Sequence, residues 1–370
     1  MKKVLFLIHD LGHGGAEKVL VNLVNNIDRE RFDVTVIALF GGGVNEQFLA
    51  PHVHYKRVFP RSFPGNSHIM KLFSPRQLHR FCVRERYDIE VSYLEGPSAR
   101  IISGCEDEHT KLVAWIHCTM KSERDICASF RSMNEAAACY NRFDNMAFVS
   151  AGVRDAFLKH HAPRGSVQVL YNTNESDAIL SRACEPVEEG FFEPNVFTWC
   201  SVGRLIPVKR FDRMIHIQKR LVEAGYPVRL LVLGEGELEQ ELRRQAKECG
   251  MEESVHFLGY QTNPYRYMSR CDLFVCASMS EGFSTAATEA LIVGTPVCTV
   301  EVSGMKEMLG ENDEYGVVTE NSEEALYQGI KRLLDDPALL AHYREKAAER
   351  GKTLSTENTV RAVEEMLMGL

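Results

Sequence analysis

Two patterns of apolar residues take turns along this 370-residue chain. Short apolar runs at 4–8, 34–39, 112–116, 146–149 and 167–170 are separated by stretches with apolar residues at helical spacing. The rhythm returns with runs at 196–202, 229–233, 255–258, 273–276 and 297–300. Alternation of this kind predicts strands of a parallel sheet, each followed by a crossover helix. Two doubly wound α/β sheets follow. Between them, residues 182–195 hold two prolines, a glycine and an acidic cluster without periodicity, and read as a linker. After the last run come three helical patterns, at 322–335, 337–350 and 355–368. The breaks fall at Pro337 and around Gly351. The expected organisation is therefore an N-terminal Rossmann-like domain (1–181), the linker, a C-terminal Rossmann-like domain (196–350) and a final helical segment (351–370).

Composition fits a folded chain, with 45% hydrophobic and 25% charged residues. Residues 4–8 are too short a run for a signal-peptide core, and no run approaches the roughly 18 apolar residues of a membrane span. A cytoplasmic protein is expected. Eleven cysteines without a CxxC pair fit reduced, mostly buried thiols. The net charge of -8 is uneven: residues 1–180 carry 22 Lys+Arg against 20 Asp+Glu, and the remainder 21 against 31. The acidic half is a poor nucleic-acid binder. Residues 56–86 hold eight basic residues and one acidic residue, interleaved with Phe59, Phe63, Met70, Leu72, Phe73 and Phe81. Such a stretch suits the anionic inner face of a membrane. The alternative is a solvated loop and helix with a few aromatics in the core.

Three motifs carry candidate chemistry. Gly12-His13-Gly14-Gly15-Ala16-Glu17 follows the first strand and opens a helix, where glycines let backbone N–H groups approach a phosphate. The same glycines would suit any tight strand-to-helix turn. The GxGxxG spacing of a dinucleotide fold is absent, and the second strand lacks a ribose-binding acid at its end. Gly203-Arg204-Leu205-Ile206-Pro207-Val208-Lys209-Arg210 lies at the exit of the second domain's first strand. Arg204 and Lys209 there can neutralise a diphosphate, Arg204 as a fork and Lys209 as a point charge. Glu281-Gly282-Phe283-Ser284 leads into a helix bearing Glu289. Eight helical residues would rise about 12 Å, too far for a pair of hydrolytic carboxylates.

Taken together, GGAE at 14–17, GRLIPVKRFD at 203–212 and Glu281-x7-Glu289 resemble the retaining GT-B glycosyltransferases of the glycosyl transferase group 1 superfamily, or glycosyltransferase family four. The likeness runs along nearly the whole chain and is strongest from about 197 to 310. It implies two Rossmann-like domains facing each other across a cleft. It also implies transfer of a sugar from a nucleoside diphosphate, most often UDP, to a glycan or lipid-linked acceptor in surface-polysaccharide synthesis. By the same resemblance Arg204 and Lys209 bind the donor diphosphate, and Glu281 holds sugar hydroxyls with Gly282, Phe283 and Ser284 beside it. Glu289 holds the ribose, Tyr260 lies at the base, Gly14 and Gly15 lie against the phosphates, and His117 stands beside the donor sugar. The stretch Asn172-Thr173-Asn174 departs from the family's asparagine-proline pair.

No DxD occurs in the chain, so the carboxylate pair that holds a metal in the other major glycosyltransferase fold is missing, and no metal or other cofactor is expected. Gly351-Lys352-Thr353 mimics the end of a phosphate loop, but Lys346 stands where the first glycine belongs. Rival readings are an epimerase or phosphorylase of the same fold, a silent sugar-nucleotide binder and a nicotinamide-dependent oxidoreductase. The intact set Arg204, Lys209, Glu281 and Glu289 speaks against the silent binder.

Overall fold

The computed structural model describes residues 1–12, 14–187 and 190–370, so that His13 of the glycine-rich turn and two acids of the expected linker lie outside the described residues. The first apolar run forms β1 (Lys2–Ile8), third in a seven-stranded sheet. Its companions are β2 (Phe32–Phe40), β3 (His54–Phe59), β4 (Ile89–Tyr93), β5 (Lys111–Ile116), β6 (Asn145–Phe148) and β7 (Ser166–Val169). The order is β3-β2-β1-β4-β5-β6-β7, with every neighbouring pair parallel. The second sheet uses β8 (Phe197–Val202), β9 (Val228–Leu233), β10 (Val255–Gly259), β11 (Leu273–Cys276), β12 (Val297–Val300) and β13 (Val317–Thr319). Its order, β10-β9-β8-β11-β12-β13, is parallel as well. A sheet buried on both faces needs nearly continuous apolar strands, and Val4 to Ile8 have no exposed surface at all.

Three strands escape the apolar-run pattern. In β4 the run is broken by Glu90 and Ser92, yet all five residues are buried. The outermost strands β3 and β13 are short or half-exposed and mix polar with apolar positions. Edge position explains these two, because only one side needs covering. Glu90 has a different cause, which is its partner His79, 2.8 Å away.

Contacts divide the chain into one unit of Met1–Asn174 with Thr356–Leu370 and another of Glu175–Ser355. The first boundary thus falls ahead of residue 181. Residues Ser176–Ala183 form a helix of the second unit, pinned by Asn263 Nδ2 donating to Arg182 O at 2.9 Å and Ser269 Oγ donating to Ala183 O at 3.2 Å. The later part of the expected linker is held too, with Arg229 donating to Phe191 O and pairing with Glu193. The chain returns to the first unit at Thr356, whose hydroxyl donates to Asn174 O at 2.7 Å. Its closing helix Thr356–Gly369 is tied to the start of the chain. Lys2 Nζ donates to Leu367 O, and the Glu364 carboxylate accepts from Asp28 N at 2.7 Å and Arg31 at 3.0 Å.

Gly351 does not break a helix. The helix Pro337–Thr353 runs through it, and a Cβ at Gly351 would stand 2.5 Å from Leu291 O. The glycine is there to let this helix pass close over Thr285–Ile292.

Candidate active site

In both sheets the chain reverses its direction of winding at one place, between β1 and β4 and between β8 and β11. Loops leaving the carboxyl ends of two such strands diverge and open a crevice for ligands. In the second unit the β8 loop carries Arg204 and Lys209, and the β11 loop carries Glu281. A backbone bond from Met279 N to Val208 O, 2.8 Å, ties the loops together. Lys209 Nζ then donates to Glu281 Oε1 at 2.6 Å, with Lys209 partly exposed and Glu281 mostly covered. Below the carboxylate lies Cys276, its Sγ 3.8 Å from Oε1. Burial, reinforced by the Glu281 charge, pushes this thiol up and keeps it neutral. Arg204 is exposed at the mouth of the same turn. Its neighbour Arg210 is turned away, forked onto Asp212 at 2.9 Å. A Cβ on Gly203 would come within 3.9 Å of the Lys209 stem.

Glu281 lies outside the following helix, which spans only Thr285–Ile292. The eight-residue helical separation inferred from sequence therefore does not apply. Gly282 precedes Phe283 and Ser284, both buried. The Ser284 hydroxyl accepts from Ala287 N at 3.3 Å and so acts as the helix cap. One turn further on, Glu289 is 3% exposed and accepts from Tyr265 OH at 3.2 Å. Tyr260 is half-exposed beyond β10, after Gly259 at φ 65°.

The first unit offers a second cluster. Gly14 caps the helix Gly15–Asn26, and a Cβ there would strike the Glu17 carboxylate. At the end of β5, His117 is buried, its backbone N donating to Glu95 Oε2 at 2.9 Å and its ring 4.6 Å from that of Tyr93. Burial drives the His117 pKa from 6.5 down to about 3. Its Nε2, Tyr93 OH and Trp115 Nε1 are all buried without a hydrogen-bond partner among the described residues. Three unsatisfied buried polar atoms gathered at the carboxyl ends of β4 and β5 are uncommon in a packed core. Leu94, between Tyr93 and Glu95, is held at φ 149°, a strained backbone for leucine. The Asn172-Thr173-Asn174 stretch is buried, with Thr173 O accepting from Asn22 in the first helix.

Sequence reasoning brought Lys209 and Glu281 forward but missed their neighbours. Tyr265 and Cys276 carry no local signal, since each becomes relevant only through a partner many residues away. Glu95 was hidden because the strand before it was not recognised. All eleven cysteines are free, and six are buried.

Family models match both units: "Glycosyltransferase Family 4" over residues 13–173 and "Glycosyl transferases group 1" over residues 188–351. The N-acetylgalactosamine-N,N'-diacetylbacillosaminyl-diphospho-undecaprenol 4-alpha-N-acetylgalactosaminyltransferase of Campylobacter jejuni is 29% identical, covering 100% of both chains. The lipopolysaccharide core biosynthesis glycosyltransferase LpsD of Rhizobium meliloti is also 29% identical, over 98% of this chain and 96% of its own. Among solved structures, Anabaena HepE in complex with UDP and glucose superposes with a TM-score of 0.76 at 19% identity, covering 100% of both chains. The lipopolysaccharide glycosyltransferase WaaG gives 0.75 at 16%, covering 99% of this chain and 100% of its own. With two parallel α/β units, one family model on each and glycosyltransferases as its full-length relatives, the chain belongs to the group 1 glycosyltransferases and has the GT-B fold.

Proposed function

We propose that this enzyme moves a sugar from a nucleoside diphosphate, with UDP the first carrier to try, onto a hydroxyl of a lipid-linked glycan, with retention at the anomeric carbon. The observation that carries the reading is the Lys209–Glu281 pair at the β8/β11 switch point, with Arg204 exposed on the same turn. Arg204 and Lys209 supply two cations to the diphosphate. Glu281 takes sugar hydroxyls, and backbone groups of Gly282 and Phe283 lie beside it. Glu289, buried and oriented by Tyr265, takes the ribose, and Gly14 and Gly15 serve the phosphates.

In the reaction the bond between the anomeric carbon and the phosphate oxygen breaks, and a bond from the acceptor oxygen to that carbon forms on the same face. The acceptor proton passes to the departing phosphate oxygen. His117 supports this route by what it is not. An imidazole whose conjugate acid has a pKa of about 3 is a feeble base, so it orients the donor sugar through Nε2 rather than taking the proton. Catalysis then rests on positioning and on stabilising the growing diphosphate charge, with no divalent metal.

Lipid linkage is supported from two sides. The Campylobacter relative is named for a diphospho-undecaprenol-linked saccharide, and the Rhizobium relative for lipopolysaccharide core. In this chain Leu72 is 76% exposed, and Ile69, Phe73 and Phe81 are about half-exposed, close in sequence to the exposed cations Arg61, Arg80 and Arg84. The carbonyls of residues 70–73 are held from below: Met70 and Phe73 by buried Arg100, Lys71 and Leu72 by Arg131. This fixes the apolar tips outward. An anionic bilayer face matches both the charge and the apolar tips. Phe59 and Phe63, by contrast, are only partly exposed and pack against buried Phe40, Phe59 stacked on it and Phe63 edge-on.

The test is a screen of UDP- and GDP-sugars with a polyprenyl-diphosphate glycan, following product by mass and anomeric configuration by NMR. An α-linked product from an α-linked donor is expected. Release or epimerisation of the sugar at equal rate without acceptor would remove the transferase reading, and an inverted product would remove retention.

A further inference from the structure

Glu90 is an unusual residue for the second position of a central strand. On β4 it is 2% exposed, and its carboxylate lies 2.8 Å from Nε2 of His79, on the helix Pro75–Cys82. Cys105, in the loop after the helix Pro97–Ile102, is buried beside them. One ligand atom from each of the three side chains lies within 4.8 Å of the other two. They sit toward the amino-terminal end of β4, whereas His117 and its orphaned neighbours follow the carboxyl ends of β4 and β5. The same three residues form part of the wall of an open basin of about 820 Å³, which Arg80, His109 and Thr110 also line.

As a bare ion pair the arrangement gains little, because desolvating two charges offsets their attraction. A buried thiol adds only a weak hydrogen bond to it. As a ligand set the three are well matched. Imidazole nitrogen, carboxylate oxygen and thiolate sulfur are the donors of zinc, which binds them at about 2.0 to 2.3 Å in a tetrahedron. Ligand atoms in such a tetrahedron stand roughly 3.4 Å apart. From their present 2.8 Å contact, His79 and Glu90 need to part by about 0.6 Å to reach this spacing. Calcium and magnesium prefer all-oxygen shells and suit this set poorly. Nothing in the proposed glycosyl transfer uses these residues.

We propose that His79, Glu90 and Cys105 form a three-ligand zinc site on the amino-terminal side of the first sheet, with the fourth position open to the basin and filled by water. On binding, the Cys105 thiol releases its proton to solvent as the zinc–sulfur bond forms, the His79 ring gives up to solvent the proton it holds against Glu90 as the zinc–nitrogen bond forms, and the metal ties the helix Pro75–Cys82 to β4 and the following loop.

The full chain is stripped with chelator, dialysed, and titrated with zinc by calorimetry, with cobalt as a spectroscopic substitute. The expected result is one zinc per chain, a rise in thermal midpoint on binding, and a thiolate-to-cobalt charge-transfer band. Cys105→Ser should abolish the band, and Cys105→Ser and His79→Gln should each weaken binding by about 100-fold or more. Both variants are conservative in size, and circular dichroism checks that each is folded. Should one variant fail to fold, the other carries the test. No stoichiometric zinc on the wild-type chain, or zinc whose affinity and band are unchanged in both variants, would overturn the proposal and leave a buried hydrogen-bonded pair.

Discussion

Lys209 and Glu281 share a hydrogen bond of 2.6 Å between Nζ and Oε1, so the cation assigned to the diphosphate and the carboxylate assigned to the sugar are one unit before any donor arrives. Their substitutions should therefore not add. Glu281→Gln frees the ammonium to move, and Lys209→Ala leaves a largely covered carboxylate without its counter-charge. In a double-mutant cycle on kcat/KM, the pair should lose about 1 to 3 kcal/mol less than the two single losses summed. Strict additivity would mean that the contact does no work in the donor complex.

His117 gives a pH signature in stability rather than in rate. Its folded pKa of about 3 lies below the ordinary 6.5, so between these values the unfolded chain binds a proton that the folded chain refuses. This contribution to stability is whole above pH 6.5 and is lost as pH falls toward 3. At pH 5 the loss is about 2 kcal/mol. Chemical denaturation of wild type and His117→Gln at pH 7 and pH 5 reads it directly, and the variant should lose about that much less between the two. Equal losses would mean that the ring is not held neutral.

How much of the fold and the site was legible in the sequence depended on whether a signal was local. Strands with unbroken apolar runs could be read, as could the loop after β1 and the two loops at the β8/β11 switch point, because glycine, proline and paired charges mark them. β4 could not, since Glu90 and Ser92 look like surface residues until His79 and the neighbouring strands cover them. Gly351 was misread for a similar reason. A glycine that permits a close helix crossing has the same letter as one that ends a helix, and only Leu291 across the contact tells them apart.

The apolar tips at Leu72 and Phe73 should decide membrane binding. Purified wild type is expected to sediment with vesicles rich in anionic lipid at low salt and to be released at high salt, at about 1 kcal/mol per engaged cation. Leu72→Ser with Phe73→Ser should reduce the bound fraction several-fold while leaving the fold intact, because both side chains are exposed. Wild type that stays in the supernatant with anionic vesicles at low salt contradicts a membrane contact through residues 56–86.

Transfer should survive EDTA, because Arg204 and Lys209 already bring two cations to the leaving group. Any zinc lost from His79, Glu90 and Cys105 should appear as a lower thermal midpoint, not as lower turnover well below it. Turnover that collapses in EDTA and returns with magnesium or manganese would show that a metal does the work assigned to these side chains.

The most direct measurement is steady-state kinetics of Arg204→Ala, Lys209→Ala and Glu289→Gln against the donor that wild type uses. Charge on the diphosphate grows toward the transition state, so the two cation variants should chiefly lower kcat, each by about 100-fold or more. Ribose contacts hardly change during reaction. Glu289→Gln should therefore chiefly raise the donor KM and leave kcat within a few-fold of wild type. Folded Arg204→Ala and Lys209→Ala enzymes that keep wild-type kcat would contradict the diphosphate site at the β8 turn, and with it catalysis by stabilisation of the leaving group's charge.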